Sequence, residues 1–140
     1  MAIKRILFVS MLLMMFSFSQ AQRIMDYKVK NNSNVTDRTM MLDILRAKLY
    51  EGYSQEFVFV VNHFKVGNNY AWFMGDATRK DGKSLRLGDG EDCCHVEALF
   101  KKIGSKWYIA ESGAFSTDVW YQSTQSLQDR NPNAPSAIFY

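Results

Sequence analysis

The residues best suited to chemistry are Cys93-Cys94-His95-Val96-Glu97, a stretch that holds the only two cysteines of the chain. In an oxidising compartment a cysteine pair usually ends as a disulfide. Neighbours on an extended backbone point to opposite faces, however, and can close only a small, strained ring. Three arrangements stay open: a vicinal disulfide, a bond between two chains through Cys93, or Cys94 packed in a core with Cys93 a partly exposed thiol. Cys93, His95 and Glu97 share one face of a strand and are ligand types for zinc or another transition metal. At i, i+2 and i+4 they extend over about 13 Å, too far for one ion. A second element would have to contribute, and His63 is the only other histidine. A solvent-facing His95 and Glu97 is the plainer reading, and no metal or cofactor is expected.

Other groups are less specific. Asp89, Glu91 and Asp92 offer oxygen ligands for calcium, but their spacing is not that of an EF-hand loop, and a solvated acidic turn explains them. There is no glycine-flanked nucleophile serine and no cysteine–histidine signature of nucleophilic catalysis. Asp76, Glu111 and Asp118 could line the open face of a sheet or the mouth of a pocket as general acids, although surface positions account for most such carboxylates. The aromatics Trp72, Trp107, Trp120, Tyr108 and Tyr121 are many for so small a domain, although aromatics are ordinary strand formers and core and rim packing is the plainer account of them. Those left outside would form a binding surface for protein, peptide or glycan.

The elements that must position these groups follow from periodicity. Met41, Leu42, Leu45 and Leu49 recur at helical spacing, predicting an amphipathic helix over about Asp37 to Tyr50 with Thr36 as N-cap and Gly52 as its stop. Glu56 to Val66 is rich in Phe and Val and reads as an interior strand. Gly67-Asn68-Asn69 turns it into a second strand opening Tyr70-Ala71-Trp72-Phe73-Met74. Thr78 to Asp92 reads as a long exposed loop. A third strand, Cys93 to Ile103, sets Cys94, Val96, Ala98 and Phe100 against His95, Glu97 and Lys101. After Gly104-Ser105-Lys106 comes a fourth, Trp107 to Phe115. The expected fold is α+β, one N-terminal helix packed on a four-stranded antiparallel meander. Residues 22–34 form a flexible lead-in to a domain over 35–121, and 122–140 a loosely ordered tail whose apolar end docks.

Met41-Leu42-Asp43-Ile44-Leu45-Arg46, Phe57-Val58-Phe59-Val60-Val61, Tyr70-Ala71-Trp72-Phe73, Trp107-Tyr108-Ile109 and Thr117-Asp118-Val119-Trp120-Tyr121 resemble a group of small exported bacterial proteins of uncharacterised function. The order of elements resembles the cystatin-like roll and the nuclear-transport-factor-2-like fold, which host inhibitors, enzymes and inert scaffolds alike. A cystatin-type inhibitor would carry Gln-x-Val-x-Gly in the first hairpin. Here His63-Phe64-Lys65-Val66-Gly67 matches only in its glycine.

The N-terminus gives the location. Lys4 and Arg5 precede an apolar run from Ile6 to Phe18, and Ser19 and Ala21 occupy the −3 and −1 positions of a signal-peptidase site, so residues 1–21 read as a signal peptide. The run is too short for a stable membrane anchor, which needs about 20 apolar residues. The 140 residues less these 21 leave 119, one domain. The 17 basic side chains less Lys4 and Arg5 leave 15 against 14 acidic ones, a nearly neutral mature protein. Nucleic acid is thereby disfavoured as a partner, since phosphate binding needs a basic excess. The expectation is an exported, periplasmic or extracellular, non-enzymatic binding module. The alternatives are a small-pocket protein with Asp76, Glu111, His63 or His95 inside the fold, and a structural component that forms a homodimer.

Overall fold

The structure, a computed structural model, describes residues 23–117 and 124–140. Its longest helix, α1 (Val35–Tyr53), buries Met41, Leu42, Leu45 and Leu49, the stripe that periodicity predicts. It begins before Thr36. The cap is Asn34, 2% exposed, whose side-chain amide donates to the Val29 carbonyl at 2.9 Å while Asn31 Oδ1 accepts from the Asn34 N–H at 3.1 Å. The helix also passes through Gly52 and stops at Ser54, whose left-handed φ of 51° lets its N–H reach the Tyr50 carbonyl. Asp37, in the first turn, pairs with Lys102 across to the sheet at 3.3 Å.

Among the described residues the sheet has five strands, not four. β1 (Met25–Asp26), β2 (Phe57–Gly67), β3 (Tyr70–Arg79), β4 (Glu91–Ile103) and β5 (Lys106–Ser116) lie in sequence order, each antiparallel to the next. β1 comes from the expected lead-in and pairs Met25 with Val66 and Asp26 with Lys65. The β2–β3 turn uses Asn68 and Asn69 at φ 47° and 61°, the left-handed region that a two-residue hairpin turn demands and asparagine tolerates. The β4–β5 turn uses Gly104 at φ 63°.

Side-chain alternation divides the sheet into two apolar faces. Toward α1 lie Phe57, Phe64, Phe73, Val96, Ala98, Phe100 and Trp107, packed with the helix stripe in one cluster. Phe64 and Phe73 meet edge to face at 5.5 Å, and Phe115 meets Tyr53 at 5.1 Å. Each such ring fully buried contributes about 1.5–3 kcal/mol relative to exposure. On the opposite face, Tyr70, Trp72 and Leu99 are covered by α2 (Thr124–Arg130) and a 3-10 turn (Ser136–Phe139), which bury Leu127, Ala134, Ile138 and Phe139. In residues 124–140, then, the stretch expected to be loosely ordered is a packed partial third layer, with the Phe139 ring 5.4 Å from the Trp72 ring. His63 and Glu111 fasten it, through the Ile138 carbonyl at 2.6 Å and through Arg130 and Asn131 at 2.8 and 2.5 Å.

Candidate functional site

Strand register brings part of the predicted set together. β4 carries His95 and Glu97 on the face away from α1. Asp76 on β3 lies directly opposite His95, and Met74 and Gly113 flank Glu97 on the two sides. His95 Nε2 stands 2.8 Å from Glu97 Oε1, and Asp76 accepts from the Asn62 side-chain amide at 3.0 Å. The expectation of a solvent-facing pair is corrected by half. The His95 side chain is 38% exposed, but that of Glu97 only 5%. Glu97 is thus buried on the face that the sequence pattern turns outward. Among the described residues Glu97 Oε2 is buried with no hydrogen-bond partner, and so is the indole nitrogen of Trp72 on the same sheet face. Burial pushes the Glu97 carboxyl above the usual carboxylate range, and the hydrogen bond and charge of His95 pull the other way.

The remaining predicted groups do not join them. Glu111 engages Arg130 and Asn131, and His63 engages the tail carbonyl, so both fasten the third layer. Trp107 packs toward α1 beneath the Lys102 ammonium, 5.5 Å from its ring. Asp118, Trp120 and Tyr121 lie outside the described residues. Among the described residues no three of His, Cys, Asp and Glu converge to hold a metal ion, and no helix is long and apolar enough to cross a membrane.

The cysteines open a second location. Cys93 and Cys94 are joined to each other, the vicinal arrangement among those the sequence left open. They line a groove of about 320 Å³ with Ala77, Thr78 and Arg79 of β3 and Lys83, Ser84, Leu85 and Leu87 of the following loop. That loop, expected to be simply exposed, is pinned. The Gln55 side chain, 4% exposed, donates to the Arg86 carbonyl at 2.7 Å and accepts from the Arg86 N–H at 2.9 Å. Tyr53 donates its hydroxyl to Glu91 at the far end of the loop, and Glu91 in turn accepts from the Gly88 N–H. Burial, then the Glu91 bond and charge, push the Tyr53 hydroxyl up to about 12, so it stays protonated as a donor. Arg79 is paired with Asp81, whose charge also acts on Lys83, and both cations line the groove. Sequence reading singled out the loop but not Lys83, Leu85 or Leu87. Their signal was two leucines at alternate positions inside an otherwise polar segment.

No family model, curated protein or solved structure matches this chain.

Proposed function

We propose that the protein is an exported, non-enzymatic binding module that takes a segment of protein, peptide or glycan in the groove between the 80–90 loop and the start of β4. The observation that carries this reading is the pinned loop. Gln55 and Tyr53 hold a surface segment in one conformation around a groove lined by the apolar Leu85 and Leu87 and by two cations, Lys83 and the Asp81-paired Arg79. A preformed groove loses less entropy on binding than a mobile loop. Its composition suits a segment with an acidic group for Lys83 beside an apolar side chain for the leucines.

Export rests on the signal-like residues 1–21, and placement in the periplasm or outside the cell follows from it. The cystatin-like roll is a natural home for one long helix against an antiparallel meander. A nuclear-transport-factor-2-like enzyme or small-molecule binder would keep a chamber between helix and sheet. Here Met41, Leu45, Phe64, Phe73 and Phe100 occupy that space with zero exposure, which weighs against that alternative.

Peptide and glycan arrays probed with the purified protein, followed by titration calorimetry of the best binder, test the reading. Lys83→Glu and Ser84→Trp, both at exposed positions, are expected to weaken that binder at least tenfold. Arrays without a binder, or variants that bind as the parent does, refute it.

A further inference from the structure

We infer that two copies of this chain associate through the outer edge of β2, joining their sheets into one. Among the described residues, β1 covers that edge only at Lys65 and Val66, and the Tyr27 N–H extends the cover to the Phe64 carbonyl at 2.7 Å. The Glu56 carbonyl accepts from Lys80 on the β3 side. Strand alternation therefore turns the backbone donors and acceptors of Phe57, Phe59 and Val61 outward, where no described strand pairs with them. Natural edges are blunted with lysine, proline or bulges. Phe57 to Val61 has neither lysine nor proline, and the bulge between Val61 and His63 comes only at its end. Val58 and Val60 stand 40% and 58% exposed along it.

Self-complementarity specifies a second copy as the occupant. A two-fold antiparallel pairing centred on Phe59 makes Phe59 and the outward groups of Phe57 and Val61 mutual hydrogen-bonding positions. It sets Val58 against the partner's Val60 on one face, and Phe57 against the partner's Val61 on the other. Glu56 meets the partner's Asn62, so no like charges face each other along the strands. Charges on the helix are matched as well. The Arg46 guanidinium sits 5.4 Å over the Phe59 ring, hence near the axis, and 2.7 Å from Asp43. A two-fold operation then places the Asp43 of each copy near the Arg46 of the other.

Asp43, Arg46, Ala47 and Tyr50 form one helical face above a groove of about 410 Å³ that also touches Phe57 and Val58 and, at its end, the oppositely charged Glu56 and Lys80. Ala47 lets the second copy approach, and Tyr50, 54% exposed, supplies area. The strip is about 20 Å long at the strand rise and about 20 Å deep over the sheet and helix layers. That is about half of the ~800 Å² per partner of a standard complex, the footprint of a weak, concentration-dependent dimer.

Sedimentation equilibrium of the purified protein across the micromolar range tests this. The expected result is a mass rising from one chain to two with concentration, unchanged by a thiol reductant. Val58→Lys with Val60→Lys, and separately Ala47→Arg on the exposed helix face, are expected to raise the dissociation constant at least tenfold. Ile103→Lys, on the distant β4–β5 hairpin, leaves it unchanged. A single-chain mass at every concentration, a dimer that reductant dissolves, or one that both edge variants leave intact overturns the inference.

Discussion

Replacing Glu97 by glutamine is expected to stabilise the protein at neutral and alkaline pH and to leave it unchanged in acid. The side chain is 5% exposed, Oε1 has His95 at 2.8 Å, and Oε2 has no partner among the described residues. Burial raises the carboxyl above its ordinary value of 4.5. Over the window from 4.5 up to the raised value, the folded chain then holds a proton that the unfolded chain has lost. Stability falls as pH rises through that window. A buried ionisable group with an unmatched oxygen costs about 1–3 kcal/mol when it must carry its charge. Glutamine reproduces the protonated acid: its carbonyl accepts from His95, and its amide replaces the hydroxyl. The two proteins should therefore unfold together near pH 4, and the variant should be about 1–2 kcal/mol more stable near pH 8, or about 4–8 °C in Tm for a domain of this size. Urea denaturation and thermal melts at intervals between those pH values supply the curve. A variant less stable than the parent at every pH would refute the reasoning, because it would mean that the ionised carboxylate is satisfied in the fold.

Two further substitutions probe the sheet's two faces. Ile138→Ala should cost about 2–5 kcal/mol by urea denaturation, since Ile138 is fully buried in the layer over Trp72 and Leu99. A cost under about 0.5 kcal/mol, typical of surface positions, would mean that residues 124–140 are not part of the folded unit. Gly75→Ala should lower stability by about 1–3 kcal/mol. The added carbon would lie 2.6 Å from the Val60 carbonyl oxygen and 2.7 Å from the Phe73 ring, and a silent substitution in a thermal melt would contradict that spacing.

Local pattern made some elements legible. Four residues at helical spacing located the stripe of α1, and the Phe and Val run followed by Asn68-Asn69 located the β2–β3 hairpin, because each segment carries its own periodicity or turn chemistry. β1 carries neither. Two residues have no period, and Met25 and Asp26 become a strand only because β2 offers them an edge at Val66 and Lys65. The same holds for the layer over the second face. Leu127, Ala134, Ile138 and Phe139 are scattered among polar residues and two prolines, and what makes them core is the apolar surface that Tyr70, Trp72 and Leu99 present. The pinned loop was hidden for a related reason: its anchor, Gln55, lies 31 residues from the backbone groups that it binds at Arg86.

Glu97 is the position where a valid rule gave the wrong side of the boundary. Alternation correctly separates His95 and Glu97 from Val96, Ala98 and Phe100, but it names faces and not solvent. Leu99 belongs to the same face as Glu97 and breaks the polar series, a sign within Val96-Glu97-Ala98-Leu99-Phe100 that both faces of β4 are covered; all five residues are buried. The consequence is chemical. The Glu97 carboxyl is almost sealed from solvent, and His95, hydrogen-bonded to it, is the exposed member of the pair. A ligand reaching this position from solvent therefore meets the imidazole before the carboxyl.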